Sequence, residues 1–192
     1  NFTHASFGGE GYRNLSFTGV TFIQAADFSS ADFNCYTSFS RATFYQGEAD
    51  FSEANFEKGG DFYETQFLNE AQFRKVKFGD RANFRKAVFN DRSRFYEACF
   101  NAGAGFGEAQ FNYGADFRST IFKGVFSGHG ACFNGKSDFA DVTFEEEASF
   151  QDANFNGWIY FRGATFKSPA KFVRAIFTGI VNFGESTFNS TS

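Results

Sequence analysis

The chain has 192 residues, a net charge of −4 at pH 7, 42% hydrophobic residues, one proline and no methionine. With a mean hydropathy of −0.36, it holds no apolar run long enough for a membrane-spanning helix. Nothing in it resembles a signal peptide, and its modest acidity argues against a nucleic-acid groove. Its 34 phenylalanines are the dominant feature, and their placement is regular.

In chain order, the first stretch, residues 1–22, keeps a plain five-residue beat: Phe2, Phe7, Tyr12, Phe17, Phe22. A narrower or irregular first coil is expected there. Over 23–188 almost all phenylalanines fall at alternating intervals of five and six, as in Phe62, Phe67, Phe73, Phe78, Phe84, Phe89. A fixed sum of eleven means one structural unit repeated many times. Two residues before each phenylalanine stands a small residue, such as Ala71, Ala82, Ala87 or Ala109, replaced elsewhere by Thr37, Thr65, Ser93 or Ser137. Residues two apart share one side of an extended segment, so each unit reads as a very short strand with the small residue and Phe facing inward. A helix is excluded by the inner spacing. Five residues advance it by about 500°, which would scatter the phenylalanines over separate faces.

Between 122 and 133 the beat falters: Gly128 stands where the ladder calls for Phe, and Phe126 takes the small position. That reads as a large-for-small exchange that conserves core volume.

The triplets Ala26-Asp27-Phe28, Ala31-Asp32-Phe33, Ala49-Asp50-Phe51, Ala82-Asn83-Phe84 and Ala153-Asn154-Phe155 resemble the pentapeptide-repeat family, in a phenylalanine-centred variant with an extra residue in every second repeat. The resemblance covers essentially the whole chain. It implies an all-β fold, a right-handed quadrilateral β-helix with one repeat per face. Four repeats then make a coil of about 22 residues. Eight to nine coils at about 4.8 Å make a rod on the order of 40 Å long, one domain over 1–192. One inner column is Phe67, Phe89, Phe111, Phe133, Phe155 and Phe177.

The three cysteines lie out of register, so no internal disulfide is expected. Free thiols suit a reducing, cytoplasmic compartment. His4 and His129 lie far apart in the repeat, no metal-site spacing appears, and a Phe-filled interior leaves no substrate cavity. The chain therefore reads as neither an enzyme nor a cofactor or metal binder.

Function is then sought on the outer surface. Asn90, Asn112, Asn134 and Asn156 line up beside one Phe column that is free of charge for six coils. The next column carries Arg74, Arg94, Tyr96, Arg118, Tyr160 and Arg162 beside Asp116 and Asp138, and Arg and Tyr are favoured interface residues. Thr143, Thr165 and Thr187 align as well, too few for an ice-binding plane.

The leading expectation is a rigid protein-interaction scaffold with an unidentified partner. The chain starts inside the pattern at Asn1-Phe2 and stops just past Phe188, which points to a segment of a larger protein. Phe rings at the rod's ends offer an end-to-end homodimer contact. The alternative comes from the resemblance, since some pentapeptide-repeat proteins mimic DNA and bind DNA gyrase and other type II topoisomerases. Those are typically strongly acidic dimers joined through a C-terminal helix, whereas the net charge here is modest and the tail from Val181 to Ser190 continues the repeat without helical period.

Overall fold

The structure, a computed structural model, describes residues 1–9, 11 and 14–189. Among these it is all-β, with 33 strands of two or three residues and no helix. Every strand pairs in parallel with strands one coil away, and four sheets result. Face I runs from Ser6–Phe7 to Thr187–Phe188 and has nine strands; face II runs from Asn14–Ser16 to Ala170–Lys171, face III from Thr21–Phe22 to Ile176–Phe177, and face IV from Ala26–Asp27 to Val181–Asn182, with eight strands each. The chain is thus a four-sided β-solenoid of about eight turns with about 22 residues per turn.

The inward pattern follows from strand alternation. From Phe28 to Phe166 the ladder phenylalanines are buried, together with the small residues two before them. Phe67 pairs in register with Phe89, and Phe89 with Phe111. The rings stack at 4.8 and 4.9 Å with interplanar angles of 4° and 3°. Phe133, Phe155 and Phe177 continue the column. Across the axis, rings of faces II and IV interdigitate edge to face, as in Phe84–Phe95 at 5.4 Å and 90°. Stacked and T-shaped pairs are both favoured by the ring quadrupole. Where Ala gives way to threonine, a carbonyl accepts from the hydroxyl: Thr65 donates to Phe39 O at 2.8 Å and Thr120 to Phe95 O at 2.7 Å.

The corners differ in length, and the shorter ones carry strain. After each phenylalanine of faces II and IV the chain makes a turn closed by a bond such as Ala87 N to Phe84 O at 3.0 Å or Ala98 N to Phe95 O at 2.9 Å. The third turn residue has positive φ, 58° at Lys86 and 56° at Glu97, the type II geometry that normally selects Gly or Asn. Charged residues occupy it instead: Arg41, Glu64, Lys86, Glu108, Asp152 and Arg174 along one edge. They pair along the rod, with Arg41–Glu64 at 3.0 Å and Arg174–Asp152 at 2.5 Å.

Three departures from the sequence pattern have local causes. The step from Phe44 to Phe51 is seven residues, the extra one absorbed near Gly47, whose φ is +78°. Phe7 pairs with Phe33 and Phe17 stacks on Phe39 at 4.7 Å, so the step between these rings takes ten residues where the next coil takes six. The first coil is therefore irregular and wider than later ones, not narrower. Tyr12 lies outside the described residues. Finally, Phe126 pairs in register with Ala104 and Ala148 while its ring packs against Phe122 at 4.8 Å and Phe150 at 4.9 Å.

Candidate interaction faces

On face IV the residue before each ladder Phe points outward, and the residue after it begins the corner. Strand register places Arg94 beside Asp116, Asp116 beside Asp138, and Asp138 beside Tyr160. Arg74, Tyr96, Arg118 and Arg162 follow Phe73, Phe95, Phe117 and Phe161 on the same face. All six predicted residues therefore share one face. Arg94, Tyr96 and Arg118 cluster in its middle and Arg74 joins them, whereas Arg162 lies further along and pairs with Glu185 at 3.2 Å.

The cluster is tied together by charge. Asp116 accepts from Arg118 Nε at 2.9 Å and Nη2 at 2.7 Å, and also from the Arg118 backbone N–H at 3.1 Å. These hydrogen bonds push the guanidinium's pKa up, so its charge is fixed. Arg118 also sits 5.4 Å from the Tyr96 ring centroid, and Lys136 4.9 Å from that of Tyr160. Arg94 pairs with Glu70. A hydrogen bond to Glu97 raises the Tyr96 phenol's pKa. Two shallow depressions adjoin here, of about 460 and 380 Å³, sharing Arg94, Asp116 and Arg118.

The first depression exposes residues that the sequence reading missed. Arg92, Lys136 and Tyr113 line it around Gly114. The signal for Arg92 and Lys136 was a further 22-residue column, three before each Phe: Glu70, Arg92, Gly114, Lys136, Trp158. Gly114 has φ +83°, and a Cβ there would run into the Lys136 carbonyl. The gap in the column is thus imposed by the backbone.

Face III is free of charge at the positions flanking Phe through all eight strands, from Thr21 and Ile23 to Ile176 and Thr178. The asparagines form a ladder: Asn112 donates to Asn90 at 2.7 Å, Asn134 to Asn112 at 3.1 Å, and Asn156 to Asn134 at 2.9 Å. Each amide is thereby engaged with its neighbour along the rod, as stacked amides are in other cross-strand arrays. Cys99 is on face I and Cys132 on the opposite face III, and all three cysteines are free. Thr143, Thr165 and Thr187 align on face I. Among the described residues no helix is long and apolar enough to cross a membrane.

A family model of pentapeptide repeats (nine copies) matches residues 17–66, 62–110, 129–176 and 157–192. The unmatched stretch between 110 and 129 includes the displaced pair Phe126 and Gly128. No curated protein matches the chain. With the family model covering most of the sequence and the stacked four-sided coils it implies, the chain belongs to the pentapeptide-repeat family.

Proposed function

We propose that the chain is a non-enzymatic, rigid scaffold that engages a protein partner through face IV. The observation that carries this reading is the convergence of Arg74, Arg94, Tyr96 and Arg118 around one depression on a stiff surface. Arg and Tyr are the side chains that anchor interfaces, and a scaffold with a stacked aromatic core pays little ordering entropy on docking. The interior supports no competing catalytic reading, being filled by stacked rings. DNA mimicry calls for an unbroken acidic surface. On face IV the carboxylates of Asp50, Asp116 and Asp138 are interspersed with the cations of Arg74, Arg94, Arg118 and Arg162, a layout that favours a protein partner over a topoisomerase's DNA groove.

Photo-crosslinking in the native host tests this. A benzophenone side chain is placed singly at Tyr96 on face IV, Tyr63 on face II, Asn112 on face III and Lys123 on face I. A discrete adduct from position 96 alone is the expected result. Equal labelling from all four positions, or adducts from any other face only, would remove face IV from the account.

A further inference from the structure

Resting on face IV as the docking face, we propose that the notch at Gly114 receives an acidic segment of the partner, with an Asp or Glu carboxylate seated between Arg92 and Lys136. The two cations stand one coil below and one coil above Gly114, about 10 Å apart along the rod. Gly114 sends no side chain between them, because its Cβ direction is filled by the Lys136 carbonyl and its φ is +83°. Among the described residues neither Arg92 nor Lys136 has a carboxylate within ion-pair distance, while Arg94 pairs with Glu70 and Arg118 with Asp116.

The carboxylates that line the same depression are already engaged. Asp116 holds Arg118, and Asp138 accepts from the Ala140 N–H at 3.0 Å. Four cations (Arg92, Arg94, Arg118, Lys136) stand at the depression against Asp116, Asp138 and the Glu70 that pairs with Arg94, which leaves one positive charge in excess on a chain whose net charge is −4. Complementarity of this kind selects an acidic occupant. A short acidic peptide gains the local attraction, whereas a long polyanion such as nucleic acid also meets the acidic remainder of the surface. Tyr113, 68% exposed at the rim, supplies an apolar flank for the peptide's backbone.

The test is binding of a fluorescein-labelled octaglutamate peptide to the full chain by anisotropy at fixed salt. Two charge-matched double variants are compared, Arg92→Glu/Lys136→Glu at the notch and Lys77→Glu/Lys123→Glu on face I. The notch variant is expected to bind about tenfold more weakly or worse, and the face I variant within about twofold of the parent. Absence of peptide binding by the parent, or an equal loss in both variants, overturns the proposal. It is also overturned if an eight-nucleotide single strand binds more tightly than the peptide through the same two residues. In each case crosslinking from position 96 still reports on face IV by itself, so the scaffold reading stands or falls separately.

Discussion

Phe126 puts its ring into the room that Gly128 leaves: a Cβ on Gly128 would stand 3.0 Å from Phe126 Cε1 and 3.4 Å from Cζ. The fit is less regular than elsewhere, with Phe106 and Phe126 at 5.8 Å and 29°, against 4.8 Å and 1° for Phe84–Phe106. Phe126→Ala should cost about 3 to 5 kcal/mol by leaving a cavity, and Gly128→Phe about 1 to 3 kcal/mol or more by overpacking. The double variant restores the ordinary repeat and should return to near the parent stability. A double-mutant cycle in urea reads the coupling, and simple additivity of the two losses would show that the residues do not share one space.

In mid-rod, Phe111 is fully buried between Phe89 at 4.9 Å and Phe133 at 4.8 Å. Phe111→Ala is expected to lower the unfolding free energy by about 3 to 5 kcal/mol. A loss below about 1 kcal/mol in denaturant unfolding would contradict the inward ladder.

The asparagine ladder contributes less per residue. Asn112→Ala removes one bond donated to Asn90 and one accepted from Asn134, a loss of about 1 kcal/mol for partly exposed amides. Asn101→Ala on face I, whose side chain only accepts from Cys99 Sγ at 3.4 Å, is the reference and should change stability by less than about 0.5 kcal/mol. Equal effects from the two variants would mean that the ladder adds nothing.

Acid should loosen the corners. A hydrogen bond from Arg174 holds the Asp152 carboxyl below its ordinary value, and one from Arg85 does the same for Glu108. A hydrogen bond from Tyr63, then one from Arg41, lowers Glu64. Each group has a folded pKa below its unfolded one, so its stabilisation is full above the unfolded value and is lost as pH falls through the folded value. The urea midpoint should be level from pH 7 to about 5 and fall below about pH 4.5. Glu108→Gln should flatten that fall, and an unchanged acid profile would separate these pairs from stability.

Much of the interior was legible in the sequence because burial there is periodic. Phe67 to Phe177 lie one coil apart at each step, and the small residues announce the alternation that turns both inward. The corners were less legible. Type II turns ordinarily advertise themselves with Gly or Asn, yet Lys86, Glu97 and Glu108 occupy the left-handed position, where they pair along the rod. The inserted residue near Gly47 does not disturb the columns, since it shifts every later strand together. The notch at Gly114 was hidden for a different reason. A glycine among twenty carries no signal until the coil length sets it between Arg92 and Lys136.

All readings of the surface depend on outward residues 22 apart forming one straight column. Spin labels at Arg74→Cys and Arg162→Cys, in a Cys99→Ser/Cys132→Ser background, measure this directly. Four coils separate the two positions, so the backbone distance should be about 19 Å, with one narrow distribution. A distance above about 30 Å, or a broad spread of distances, would contradict the stacked coils and with them face IV as a surface.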